Sequence, residues 1–210
     1  MTDQRILIAD DHPLVREGLV MAIHARHPAI VTDCVESIAA AEAMARQHKG
    51  YRLMLLDYRL PDADGFSGLF RMQHALGVVP IALISAHDDP HIVSAARAVG
   101  AAGFLSKSQP LDLLVQSIDG LLGGASIFPA GNGVDSETAA LQTRIKSLSS
   151  AQMRVLAALA KGHLNKQIAG DLSLSEATVK AHLTAIFRKL KVNNRVQALI
   201  AVRPLFDPTD

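Results

Sequence analysis

Along the first 120 residues, short apolar runs alternate with longer stretches of helical spacing. Arg5 to Ala9, Ile30 to Cys34, Leu53 to Leu56, Val79 to Ser85 and Ala102 to Leu105 are the near-continuous hydrophobic runs of strands buried on both faces of a parallel sheet. Between them Pro13 to Arg26, Ser37 to Gln47, Gly65 to Leu76, Pro90 to Val99 and Pro110 to Leu122 repeat their apolar positions at helical spacing, several opened by a Pro where its missing N–H costs nothing. Five βα units in a row predict a doubly wound α/β domain over 1–122 with a five-stranded parallel sheet. Residues 123–147, with chain breakers at Gly123-Gly124 and at Pro129-Ala130-Gly131-Asn132-Gly133, read as a linker with one short helix around Glu137 to Ile145. From Leu148 the pattern is entirely helical, and 148–210 form an all-α domain of four helices: Ser149 to Ala160, Lys166 to Leu172, Glu176 to Leu190 and Arg195 to Val202. Ser149 and Ser175 are N-caps, and Gly162 is a C-terminal breaker.

Charge divides the chain in the same place. Residues 1–120 hold 10 Lys/Arg against 14 Asp/Glu, a net of −4, whereas 148–210 hold 9 against 4, a net of +5. An acidic front joined to a basic tail points to a tail that meets a polyanion. No apolar run reaches the roughly 18 residues of a membrane span, and the first residues lack a signal peptide's apolar segment, so a cytoplasmic protein without a membrane partner is expected. The single cysteine, Cys34, allows no internal disulfide and is expected to be a buried hydrophobe on its strand.

In open α/β sheets ligands bind beyond the carboxyl ends of the strands, where this chain places Asp10, Asp11, Asp57, Ser85 and Lys107. Three carboxylates drawn together need a cation among them, and hard oxygen ligands at an open site favour Mg²⁺. Lys107 and the Ser85 hydroxyl then complete a place for a phosphoryl group carried on a carboxylate. Alone, each residue is an ordinary cap or loop charge, and only their joint placement points to chemistry. Asp10-Asp11, Asp57-Tyr58-Arg59-Leu60-Pro61-Asp62-Ala63-Asp64-Gly65, Ile84-Ser85-Ala86 and Gly103-Phe104-Leu105-Ser106-Lys107 resemble the flavodoxin-like receiver domain of two-component response regulators.

That resemblance implies that Asp57 accepts a phosphoryl group from the histidine of a sensor histidine kinase. It implies that Asp11 and Asp57 hold Mg²⁺ with the backbone carbonyl of Arg59, and that Asp10 acts through a metal-bound water. By the same resemblance Ser85 and Lys107 bind the phosphoryl oxygens, and Phe104 turns inward as Ser85 moves. Phe104 lacks the hydroxyl of a Tyr, and Ser108 stands where Pro often follows the lysine, leaving open a cis peptide. A phosphatase that forms an aspartyl phosphate needs a second carboxylate two residues after its nucleophile, where this chain has Arg59, so no enzyme is expected.

The third helix of the tail has two faces. On a wheel of about 100° per residue with Lys180 at zero, Val179, Leu183, Ile186 and Leu190 fall between roughly 240° and 300°, an apolar stripe for a core. Lys180, Ala181, Thr184, Arg188 and Lys191 span zero to about 100°, cations and small residues together on one face, which suits a DNA major groove. Leu148-Ser149-Ser150-Ala151-Gln152, Asn165-Lys166-Gln167-Ile168-Ala169, Leu172 to His182 and Arg188-Lys189-Leu190 resemble the LuxR-type helix-turn-helix domain. The whole chain thus resembles a bacterial NarL/FixJ-class response regulator.

The resemblance implies base contacts from Lys180, Ala181 and Thr184 and phosphate contacts from Asn165, Lys166, Thr178 and Arg188, with His182 structural. Gln152 and Gln167 stand where Glu is usual, keeping a hydrogen bond and losing an ion pair. The partners implied are a sensor histidine kinase, double-stranded promoter DNA, a second copy of the chain on phosphorylation, and RNA polymerase. The linker allows two arrangements of the domains, and the unphosphorylated receiver is expected to pack on the tail and hinder its third helix.

Overall fold

The computed structural model describes residues 4–63, 65–86, 88–129, 140, 143–145 and 147–206. Five strands, β1 (Arg5–Ala9), β2 (Val31–Val35), β3 (Tyr51–Asp57), β4 (Ile81–Ser85) and β5 (Gly103–Ser106), alternate with α1 (Pro13–Arg26), α2 (Ile38–Gln47), α3 (Ser67–Leu76), α4 (Pro90–Ala98) and α5 (Leu111–Leu122). They form one parallel sheet ordered β2-β1-β3-β4-β5, the doubly wound topology that the alternation of runs predicts. Four helices follow: α6 (Ser150–Ala160), α7 (Asn165–Asp171), α8 (Glu176–Leu190) and α9 (Arg195–Phe206). The expected helix around Glu137 falls outside the described residues except for Ala140 and its end at Thr143–Ile145, which are helical; Asp64 lies outside them too.

Strand side chains point to opposite faces in turn, and the sheet is buried on both. Ile6, Ile8, Leu53, Leu55, Ile84 and Leu105 meet Leu19, Ile23, Leu114 and Ile118 of α1 and α5 on one face. On the other, Leu7, Met54, Leu56, Leu83 and Phe104 meet α2, α3 and α4 in a core that runs on into the helical tail. β2 sits at the sheet's edge, and Cys34 on it is exposed rather than buried. The apolar run shows the strand but cannot show which strand ends the sheet.

The tail's caps are formed as its sequence requires. Ser149 Oγ accepts the Gln152 amide and Gln152 Oε1 accepts the Ser149 amide, a reciprocal capping box. Ser175 Oγ accepts the Thr178 amide at 3.1 Å at the start of α8. Gly162, just past α6, has φ +84°, a conformation that favours glycine. Val179, Leu183, Ile186 and Leu190, the predicted stripe of α8, are buried, 6% exposed at most.

The two units meet through α3 on α6 and α4 on α9. Ile145, fully buried, lies at this joint with Leu148 and Met153 opposite Gln73, Ala98, Val99 and Gly100. Gln73 Nε2 donates to Val99 O at 3.1 Å, closing the end of α4 there. The receiver thus packs on the tail as expected, through α6 and α9. α8 packs on α6, α7 and α9, and its Lys180, Ala181, Thr184 and Arg188 are exposed.

Candidate functional site

The sheet's topology brings the ends of β1, β3, β4 and β5 side by side, and the predicted pocket assembles there. Asp10 and Asp11 follow β1, Asp57 ends β3, Ser85 ends β4 and Lys107 follows β5. Lys107 Nζ lies 2.7 Å from Asp57 Oδ2 and 2.7 Å from Asp10 Oδ2. The first contact is a hydrogen bond; the second is an ion pair without that alignment, leaving the buried Asp10 Oδ2 with no hydrogen-bond donor among the described residues. The Arg59 amide donates to Asp57 Oδ1 at 3.1 Å, and the His12 amide to Asp10 Oδ1 at 2.9 Å.

Burial pushes the Asp57 carboxyl above the usual range against the pull of Lys107 and the Arg59 N–H, and the negative charge of Asp10 adds to that push. Burial works to lower Lys107, but the two carboxylates outweigh it and hold the ammonium above its ordinary value. The site thus holds two buried acids, Asp10 and Asp57, bridged by one cation, with Asp11 exposed beside them.

His12, which no sequence motif marks, joins this set. Its Nδ1 stands 2.8 Å from Asp11 Oδ1, 3.2 Å from Asp10 Oδ1 and 3.9 Å from Asp57 Oδ2. Together the four residues offer ligand atoms within 4.8 Å of one another, consistent with a metal site. Its position beside two aspartates at a strand end was the available signal. Asp62 lies apart from this set: its carboxylate accepts the Ile38 and Ala39 amides at 2.9 Å each, pinning the β3–α3 loop to the start of α2. Burial works to raise that carboxyl, but the two amides and Arg71 hold it below its ordinary value.

Phe104 is 1% exposed, its ring packed inward on the α3–α4 side of the sheet, and Ser85 is buried. Ser106 and Ser108 hydroxyls lie 2.7 Å apart, and among the described residues no peptide bond is cis.

On the tail, Lys166, Lys180, Ala181, Thr184 and Arg188 are exposed, while Asn165, Thr178 and His182 are half-buried. Thr178 Oγ1 lies 2.8 Å from Ser175 Oγ in the cap of α8, and Thr184 Oγ1 donates to Lys180 O. Gln152 Oε1 also accepts from Lys189 Nζ at 2.8 Å, and Gln167 Oε1 accepts from the Leu164 amide at 2.8 Å, so both glutamines keep hydrogen bonds. The outward face of α8 is therefore open, with Thr184 between Lys180 and Arg188 and Ala181 beside Arg188.

Among the described residues no helix is long and apolar enough to cross a membrane. The response regulator receiver domain family matches residues 6–119, and the luxR family of bacterial regulatory proteins matches 146–202. The chain is 36% identical over 207 residues to the glycerol metabolism activator of Pseudomonas putida, covering 94% of each chain. It is 32% identical over 198 residues to a probable transcriptional regulatory protein NarL of Mycobacterium tuberculosis, covering 93% of this chain and 91% of that one. Its fold is similar to that of RcsB from Salmonella enterica serovar Typhimurium bound to a promoter in the presence of the phosphomimetic BeF₃⁻. There the TM-score is 0.54 and the identity 21%, with 97% of this chain and 99% of that chain covered. The chain belongs to the two-component response regulators that join a receiver domain to a LuxR-type helix-turn-helix domain, a family of transcription regulators rather than enzymes.

Proposed function

We propose that this protein binds promoter DNA under the control of phosphorylation at Asp57 by a sensor histidine kinase. The carrying observation is the pair of buried carboxylates, Asp10 and Asp57, bridged by Lys107 Nζ with the exposed Asp11 beside them, in the same chain as an open cationic helix face. In the transfer, an Asp57 carboxylate oxygen attacks the phosphorus of a phosphohistidine. A P–O bond forms, the P–N bond breaks, and its electron pair returns to the imidazole. Lys107 passes from carboxylate to phosphoryl oxygen, a charge-assisted contact that the pocket already orients, and Ser85 binds a second oxygen. Phe104 then follows Ser85 as the switch.

The donor set fits Mg²⁺: hard oxygens close together, and three carboxylates of Asp10, Asp11 and Asp57 against the single ammonium of Lys107. Asp11, Asp57 and the Arg59 carbonyl would hold it, with Asp10 acting through water. Bound there, it offsets the charge of both carboxylate and incoming phosphate.

Lys180, Ala181 and Thr184 approach base edges in this reading, and Asn165, Lys166, Thr178 and Arg188 approach phosphates. Two copies bind paired half-sites, so that dimerisation raises the effective concentration of the second tail without new base contacts. RNA polymerase is the downstream partner, and the cytoplasm the place of action.

Acetyl phosphate with Mg²⁺ should add one phosphoryl group by intact mass and strengthen DNA binding. Asp57→Asn should take up none. Uptake by that variant equal to the parent's would move the site elsewhere. Lys180→Ala should lose specific affinity by about tenfold or more; unchanged binding would place the contact on another surface.

A further inference from the structure

The chain does not leave the receiver at the end of α5. Gly124, at φ +86°, turns it back, and the Ala125 amide donates to Gly120 O at 2.8 Å. The next residues run parallel to β5 along the sheet's open edge. The Ile127 amide donates to Ala102 O at 3.2 Å, Ser126 Oγ donates to the same carbonyl, and the Phe104 amide donates to Ile127 O at 2.8 Å. Side chains alternate as a strand requires: Ile127 packs on the α1–α5 core, and Phe128 on the core of the other face. Arg97 of α4 lies over the Phe128 ring, 4.2 Å from its centroid.

Two glycines make room for this segment. A Cβ at Gly103 would stand 2.7 Å from Ile127 O, and one at Gly120 would stand 3.1 Å from Ile127 Cδ1. Covering an exposed strand edge is ordinary protection against pairing with other chains. Here the covered residue is Phe104, and a short bonded path leads to it from the pocket. The Lys107 amide donates to Ser85 O at 2.7 Å, Lys107 follows the four-residue β5, and the second residue of β5 is bonded to Ile127. Beyond Phe128 lies Arg97 on α4, which packs on α9 of the tail.

We propose that Ile127 is a positioning residue for Phe104: residues 125–128 are an edge strand latched to β5, and the phosphoryl pocket acts on the tail by changing that pairing. This rests on the phosphorylation reading above. A displacement at Ser85 or Lys107 shifts β5 along its length. The latch either keeps its two amide bonds or gives them up, the discrete choice that a switch needs.

Hydrogen exchange on the full-length protein, with and without acetyl phosphate and Mg²⁺, tests this directly. Exchange at the Phe104 and Ile127 amides should change together by about tenfold on phosphorylation. Gly103→Ala should expose both amides beforehand and still take up a phosphoryl group by intact mass, yet its DNA affinity should no longer respond to phosphorylation. Ile127→Ser should do the same if Gly103→Ala folds poorly, and Ile127→Val should restore the response. Uptake with unchanged exchange at both amides, or a full DNA response in both disruptive variants, overturns the latch alone. Absence of uptake by the parent overturns the phosphorylation reading and with it the input that the latch requires.

Discussion

At Asp33 one carboxylate ties three strands together. Arg5 Nε and Nη2 each donate to it at 2.8 Å, and Tyr51 Oη donates at 2.8 Å, so β1, β2 and β3 are joined beside the sheet's edge. The Arg5 fork, with Tyr51 assisting, outweighs burial and holds the Asp33 carboxyl below its ordinary value. A depressed carboxylate contributes stability that is present above the unfolded value, near ~3.9, and is lost as pH falls through the folded one. Asp33→Asn should therefore cost stability at neutral pH, by about 1 kcal/mol after solvent screening. In urea titrations the gap to the parent should close as pH drops below about 4; a gap independent of pH would assign the loss to packing. Lys107 makes a different forecast. Lys107→Ala leaves Asp10 and Asp57 facing each other without a cation, so a metal that binds only the folded state has more repulsion to relieve. Excess Mg²⁺ should raise the melting temperature of Lys107→Ala by more than that of the parent, and an equal rise would remove the metal from this pocket.

Among the elements, capping decides how firmly the tail presents α8. Gln152 Oε1 serves both the Ser149 amide and Lys189 Nζ, so Gln152→Glu keeps the box and gains an ion pair across α6 and α8. It should stabilise the protein by about 0.5 kcal/mol, an amount that added salt reduces. Ser175→Ala should cost about 1 kcal/mol in denaturant titration and fray the start of α8. These caps and the stripe of α8 were legible because each is local: hydroxyl, spacing and breaker lie within a few residues. The pocket was legible for the related reason that a parallel sheet aligns its strand ends. What could not be read was contact between distant segments with no local pattern. The edge position of β2 exposed Cys34, His12 folded back onto the acids, and Ile127 found the β5 edge through glycines 103 and 120, whose role shows only when the neighbour is in place.

The joint between the units decides what the receiver can restrain. It covers parts of α6 and α9 while α8 stays open, so under the proposed function control should fall on how two tails are set against each other and not on access to α8. Loosening the joint at Ile145 should thus free pairing. Unphosphorylated Ile145→Ser should bind a paired half-site more tightly than the parent, by several-fold, and a single half-site about equally. Tighter binding to both sites alike would mean that the receiver bars α8 after all.

One core runs unbroken from the α2–α4 side of the sheet into the tail, whereas the α1–α5 side is closed within the receiver. Melting should inherit that asymmetry. While the joint holds, the tail cannot lose its packing without stripping one face of the sheet, and calorimetry of the resting protein should record a single endotherm for both units. A form with the joint released should absorb heat in two steps, so the number of endotherms reports the arrangement of the domains.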